Sequence, residues 1–256
     1  MGEPAPEKAA AWFEPLLGIG VALLAWEIAG RIAGDALFAP FSHVVRELLN
    51  VLADGRTLPA LANSLLQMLA GYVGGLLIGM PLGVLMGRQD WADRAFHPWV
   101  SMMLVTSTAA LVPLLIVLLG TGFVFRATIV FLATVWYVTL ATYQGARGID
   151  PRMLAAARSY GAGGWQTFWL VILPALFPFL LTGARVGLVH AIRAMVMAEM
   201  YVLVGFGGLL HQTGLSTSTA PLLCYLLLLM VVSIAATGGL RLVGRRLAPW
   251  YEERLT

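Results

Sequence analysis

Charge falls away in long stretches of this chain. No Asp, Glu, Lys or Arg occurs from Thr57 to Gly87, from Pro98 to Phe125, from Ala127 to Gly145 or from Met200 to Leu240. A helix that crosses a bilayer needs about 20 largely apolar residues. The runs therefore predict spans near Leu58–Met86, His97–Leu119, Phe125–Tyr143 and Ser218–Leu240, with the third and fourth spans of the chain joined by a tight Gly120–Gly122 turn. An earlier span near Leu16–Ala33 carries Glu27, which is costly in hydrocarbon unless it faces protein or lies near an interface. Between Tyr143 and Ser218 hydropathy offers two candidates, Phe168–Thr182 and Val186–Val204. Pro174 and Pro178 fall in the first and are expected to interrupt or redirect a helix at the membrane surface. Residues 35–57 follow another pattern. Phe41, Val44, Val45, Leu48, Leu49 and Leu52 recur at helical spacing around Arg46 and Glu47, which predicts a short interfacial helix at about 41–52.

Composition supports a membrane protein. Of 256 residues, 59% are hydrophobic and 11% charged, where a soluble domain carries about 25% charge. The mean hydropathy is +0.84. A large soluble helical core would be wrapped in amphipathic helices with charged faces, and the charge-free runs leave no such faces. The single cysteine, Cys224, lies in an apolar run and allows no internal disulfide, and His43, His97, His190 and His211 are scattered. The net charge of +3 comes with no dense basic patch, so a nucleic-acid partner is not expected. The opening MGEPAPEKAAAWFEP has little positive charge before its apolar run and does not read as a cleaved signal peptide.

The arginines choose between six spans and seven. With six spans and a cytoplasmic N-terminus, the inner side holds Lys8, Arg88, Arg94, Arg147, Arg152, Arg158, Arg241, Arg245, Arg246 and Arg254, with Arg185 near the boundary. The outer side holds Arg31, Arg46, Arg56 and Arg126. This is a positive-inside distribution. It leaves residues 146–180 as a cytoplasmic loop, starts the fifth span near Leu181, and puts both termini in the cytoplasm. The expectation is one all-helical polytopic domain over 1–256.

Inside that loop lies RMLAAARSYGAGGWQTFWLVILPALFPFLL, residues 152–181. Asp150 can cap a helix whose first position is Pro151. Met153, Leu154 and Ala157 can line one face while Arg152 and Arg158 stay wet. The glycines after Tyr160 stop the helix, and Trp165, Phe168 and Trp169 return the chain to the interface. Two readings follow from the residues: a rigid bent element that passes push and pull from a soluble partner, or an amphipathic loop with no partner.

A resemblance favours the first. Ala155-Ala156-Ala157-Arg158, then Gly161, then Leu173-Pro174 resembles the EAA loop of bacterial ABC importer permeases, usually Glu-Ala-Ala, a glycine, and a downstream Leu-Pro. The likeness continues through residues 174–200, including Gly183, Arg185 and Glu199. NSLLQMLAGYVGGLLIGMPLGVLMG resembles the family's second-helix signature, ALVPLLIVLLGTG its third, and RRLAPW the close of the nitrate, sulfonate and taurine permease subfamily. The resemblance implies a type I importer permease fold and a homodimer in the bacterial inner membrane. It also implies two cytoplasmic ATPase subunits, which carry ATP and Mg and bind the loop through Pro151, Arg152, Leu154, Ala155, Ala156, Ala157, Arg158, Gly161, Leu173 and Pro174. An extracytoplasmic binding protein would deliver the solute. Two positions depart from the pattern: Ala155 stands where relatives have Glu, and a proline often present at Ala109 or Ala110 is missing.

The chain has no GxxxxGK[ST] phosphate loop, so no ATPase site or cofactor is expected in it. Ionisable groups inside a membrane are functional candidates, which singles out Glu27, His190, Arg193 and Glu199. Arg193 has three open roles: positive potential for an anion, a bond to a carbonyl, or a pair with Glu199. Glu199 matches a family position and reads as structural, His190 as a polar packing residue. Met102, Met103, Ser107 and Thr108 are further candidates to line a route. The competing functions are an ion-coupled secondary transporter, which predicts a functional monomer or symmetric repeats, of which no clear repeat between the halves is evident, and a non-transport membrane assembly protein.

Overall fold

Glycines recur every four residues along the second predicted span, and their spacing explains the central packing. The computed structural model describes residues 7–34, 37–215 and 219–247. The opening six residues, Ser218 at the start of the last predicted span, and the chain beyond Leu247, which includes the final three residues of RRLAPW, lie outside the described residues. The helices are α1 (Glu7–Ala33), α2 (Phe41–Ala53), α3 (Thr57–Arg88), α4 (Asp90–Val105), α5 (Thr108–Leu119) and α6 (Phe123–Arg147). They continue with α7 (Pro151–Ser159), α8 (Gly164–Thr167), a π-helical turn (Phe168–Ile172), α9 (Leu173–Val202), α10 (Gly205–Gly214) and α11 (Thr219–Leu247). The chain divides into two compact units, Met1–Pro59 with Leu209–Met230, and Ala60–Gly208 with Val231–Thr256.

In the first unit Glu27 earns its place by capping a neighbour. The α2 N-cap is Pro40, which offers no side-chain acceptor. Instead Glu27 Oε2 accepts the Ser42 N–H at 3.0 Å and Oε1 accepts the Ser42 hydroxyl at 3.0 Å, while Arg31 donates to Oε1 at 2.8 Å. Trp26 donates its indole N–H to the Ala39 carbonyl at 3.1 Å and packs its ring against Phe38 and Phe41. The Ala39 N–H donates to Thr219 Oγ1 at 2.9 Å. The apolar stripe of α2 is split: Val44 and Val51 are buried, whereas Val45, Leu49 and Leu52 are exposed beside it. A helix with one face on protein and an apolar flank left open suits an interfacial position.

In the second unit α3 lies directly on α6. Gly71, Gly75, Gly79, Gly83 and Gly87 form a row along which α6 backbone or Cβ atoms come within side-chain distance. Gly71 meets Ala127, Val130 and Phe131; Gly79 meets Val135 and Val138; Gly87 meets Tyr143, Ala146 and Arg147. Gly74 is off this row and meets only the edge of the Phe131 ring, at ordinary contact distance. Small residues that admit a neighbouring backbone are the usual device where water supplies no driving force between helices.

The order of those contacts fixes direction. The α6 partners advance as the α3 residues advance, so the two helices run parallel. Against α9 the order reverses: Gly145 meets Phe179, Gly183 meets Val138 and Ala141, and Gly187 meets Thr134 and Val138, so α6 and α9 are antiparallel. Tyr72 closes the trio by donating its hydroxyl to the Ala184 carbonyl at 2.8 Å. Two parallel spans require one crossing between them, and α4–α5 supplies it.

The span expected over His97–Leu119 is a bent pair of helices. The helix breaks at Thr106 and Ser107, both in extended conformation, and bends by 99°. Hydroxyl residues offer the backbone alternatives to helical pairing, and here the Thr106 hydroxyl donates to the Met102 carbonyl at 2.8 Å. Gly120, at φ +70°, then ends α5, and Gly122 opens α6.

A correction concerns the prolines. Residues Gly164–Val202 form one 39-residue helix, and neither Pro174 nor Pro178 interrupts it. The Leu173 N–H reaches back five residues to the Phe168 carbonyl, so the ladder changes register immediately before Pro174, which has no N–H to place. Both hydropathy candidates fall on this helix, the second running two residues past its end at Val202. At 1.5 Å per residue it is about 58 Å long, far more than a bilayer's hydrocarbon. One crossing therefore leaves part of this helix outside the hydrocarbon, and Leu181–Val202 alone is long enough to span. α3, α6, α8–α9 and α11 are each long and apolar enough to cross. With the bent pair, and with α1 over the first predicted span, the set is compatible with six crossings.

Candidate coupling element and polar sites

The end of α6 builds a foot on which α7 stands. Ala146, Ile149, Leu154, Ile172 and Leu176 form a buried cluster, joined by Val84, Phe168 and Val171. Leu154 is thus the anchor of α7, at 8% exposure. Asp150 caps the helix, its Oδ1 accepting the Arg152 N–H at 2.8 Å, and Pro151 occupies the first turn. Arg152, Ala155, Ala156 and Arg158 are exposed and Ala157 is half-buried. Met153, expected on the buried face, is exposed, because a nine-residue helix laid on the foot buries one anchor rather than a stripe.

The helix closes at Gly161. The Ala162 N–H donates to the Ala157 carbonyl at 3.1 Å and the Gly161 N–H to the Arg158 carbonyl at 2.9 Å. This nested pair requires a left-handed residue after the cap, and Gly161 has φ +78°. No atom lies within 4 Å of where its Cβ would be. Within this chain the glycine therefore serves the turn, and its outer face is open. Gly163 then caps α8, with Gln166 Oε1 accepting its N–H at 3.1 Å. Trp165, Phe168 and Trp169 form an aromatic group beyond the turn. Leu173 is half-buried and Pro174 exposed at the start of α9. The whole element is a short capped helix, a glycine turn and an aromatic shoulder, with its polar and small residues facing outward.

The polar candidates separate into different places. His190 stacks on Tyr137 of α6, centroids 3.6 Å apart and planes within 14°. Arg193 is exposed on α9 and does not meet Glu199. Glu199, 1% exposed, has other partners: Oε2 accepts the Gly207 N–H at 2.8 Å, and Oε1 lies 3.9 Å from Arg126 Nη1 of α6. Ser64 Oγ accepts the Phe206 N–H at 3.0 Å beside it. Together they receive the first N–H groups of α10, just after the left-handed Leu203. These contacts tie the end of α9 to the start of α10. Arg126, Ser64 and Gly207 were not identified as partners of Glu199 from sequence, since they lie on three separate segments. Ser107 is exposed and Thr108 half-buried at the α4–α5 break.

A further polar group escaped the sequence reading. Arg147, the last residue of α6, donates from Nη1 to Asp93 Oδ2 and, at 2.9 Å, to the Tyr143 hydroxyl. Tyr143 donates to Asp93 Oδ2 at 3.2 Å, and His97 Nδ1 lies 3.4 Å from Asp93 Oδ1. The i,i+4 pairs Asp93–His97 and Tyr143–Arg147 were its only sequence trace.

Comparison with known proteins gives a consistent picture. Residues 75–249 match the family described as binding-protein-dependent transport system inner membrane component. A probable ABC transporter permease protein of Brucella abortus (strain 2308) is 30% identical over 238 residues, covering 93% of this chain and 95% of the relative. The taurine transport system permease protein TauC of Escherichia coli (strain K12) is 28% identical over 235 residues, covering 89% and 86%. In fold, the chain is similar to a chain of the MetNI methionine ABC transporter in an inward-facing conformation, with a TM-score of 0.64, 19% identity, and 75% and 94% of the two chains covered.

Proposed function

The chain belongs to the binding-protein-dependent inner membrane component family and is a permease subunit of an ABC importer; on that premise we propose that two copies enclose a path for a small anionic organic solute of the sulfonate or taurine kind. The family assignment removes the ion-coupled carrier and the assembly protein as competing functions. Within this reading two ATPase subunits, holding ATP and Mg, dock on α7 from the cytoplasm, and an extracytoplasmic binding protein delivers the solute.

The observation that carries the paired path is Arg193. It lies nine residues from the end of α9, about 14 Å into the helix at 1.5 Å per residue, and it is exposed on the single chain. A guanidinium at that depth against lipid is strongly disfavoured. A water-lined path shared with a second copy accommodates it and supplies positive potential to an anion. The hydroxyls of Ser107 and Thr108, at the break in the third crossing, are the proposed polar contacts on the same route. The taurine permease among the relatives is in keeping with a small anionic or zwitterionic cargo. Uptake by the reconstituted importer tests this. Arg193→Gln should raise the solute concentration for half-maximal uptake about tenfold, the order of losing one charge-assisted contact, with assembly unchanged. Unchanged uptake kinetics, or loss of the protein from the membrane, would return Arg193 to a scaffolding role.

Orientation is proposed from the arginine distribution, with both termini and α7 in the cytoplasm. The geometry agrees within one unit, because Gly244 near the end of α11 packs on Leu181, towards the end of α9 that adjoins α7. In a Cys224→Ser background, Trp91→Cys and Tyr160→Cys should be shielded from an impermeant thiol reagent in intact cells, while Thr121→Cys and Gln212→Cys should react. All four positions are exposed on the chain. External labelling at 160 would overturn the placement of the loop.

A further inference from the structure

The Asp93 group joins two parts of the molecule that the coupling reading leaves unconnected. Arg147 stands three residues before the cap of α7 and ends the helix whose last turn belongs to the α7 foot. Asp93 sits in the first turn of α4. From there α4 runs to the break at Thr106 and Ser107, about 18 Å away along the helix. The contact is built from several parts: Arg147 bonds both Asp93 and Tyr143, its guanidinium carbon lies 5.7 Å from the Tyr143 ring centroid, and His97 Nδ1 lies 3.4 Å from the other carboxylate oxygen. Beneath it Met86, Ala92 and Val100 pack with Tyr143 and Trp136.

Stability is a poor explanation for the pair. The Arg147 side chain is 57% exposed, and exposed ion pairs contribute only about 0–1 kcal/mol. Direction is a better one. A fixed bidirectional tie between the foot of α7 and the first turn of α4 converts displacement of α7 into displacement of the bent pair. We propose that Asp93 and Arg147 are positioning residues that pass movement at the ATPase-facing element to the α4–α5 break. This rests on α7 being the ATPase contact. The pair transmits; it touches neither solute nor nucleotide.

The test is the ratio of ATP hydrolysed to solute imported, in proteoliposomes of the permease with its ATPase and binding protein. Arg147→Gln and Asp93→Asn should keep the ATPase in the complex and raise that ratio about tenfold, a coupling free energy in the usual range for linked sites. Asp93→Glu, which retains the charge, should stay near the wild-type ratio, and the exchange Asp93→Arg with Arg147→Asp should recover most of the loss. A purely structural role would lower assembly without changing the ratio in the complexes that form. Wild-type ratios in both neutral variants, or an exchange no better than either, would overturn the proposal. Arg147→Gln decides the matter alone if Asp93→Asn fails to assemble, since its side chain is mostly outside the fold. A wild-type permease that never holds the ATPase would instead sink the coupling reading beneath it.

Discussion

Gly83→Leu is expected to abolish recovery of folded permease. A Cβ at this position would meet the Thr139 carbonyl, would lie 2.7 Å from Thr142 Cβ, and would lie 3.0 Å from the Tyr143 amide nitrogen. Two of these are backbone atoms of α6, which no rotamer change can move away. Overpacking a core by a few methylenes already costs about 1–3 kcal/mol, and here two parallel helices would have to part along their contact. Gly238→Leu is the matched control, on α11 with nothing within 4 Å of its added Cβ. Size-exclusion recovery after detergent extraction should be near zero for Gly83→Leu and near wild type for Gly238→Leu. Normal recovery and thermal stability of Gly83→Leu would mean that α3 and α6 do not approach as closely as the glycine row requires.

That row also shows how far the sequence could be read. Glycines spaced by four could have been ordinary membrane-helix composition; only their partners on α6 distinguish packing from habit. Spans were legible because apolar runs bounded by arginines report solvent directly. The break at Thr106–Ser107 was less so, since hydropathy averages over a window and a pair of hydroxyl residues barely lowers it. The continuity of α8–α9 through two prolines was hidden for a different reason. A lone proline pattern reads as interruption, whereas the π-turn that absorbs Pro174 depends on tertiary packing of Thr167, Ile172 and Leu176, all buried. Among the site residues, the Asp150 cap and the Gly161 turn are local and were visible. Glu199 with Arg126, and Asp93 with Arg147, join residues 73 and 54 positions apart in sequence, and no single-chain periodicity links them.

The α7 turn yields the sharpest remaining expectation. Gly161→Asp should leave the permease in the membrane but deprive it of its ATPase, or leave hydrolysis uncoupled from uptake. The fold should survive, because aspartate and asparagine are the side chains that best tolerate the left-handed conformation and the space around Gly161 is empty within this chain. The loss would arise in the complex, where an unpaired carboxylate is pressed against a partner surface and desolvated. Gly161→Asn separates the two effects: it keeps the same backbone and bulk without the charge, and should retain more of the ATPase than Gly161→Asp. Ala155→Glu is the companion. Ala155 is exposed, its carbonyl accepts the Ser159 hydroxyl at 3.1 Å, and Arg158 stands one turn further on. A glutamate there fits α7 without strain and restores the residue that the resembling loops carry. The expected result is ATPase association equal to or stronger than wild type, read from the ATPase that co-purifies in nanodiscs and from solute-stimulated ATP turnover. Weaker association would show a groove matched to alanine, with the contact intact and its polarity changed. Coupled transport at the wild-type level in Gly161→Asp would remove α7 from the mechanical path altogether, and the Asp93–Arg147 tie would then have nothing to transmit.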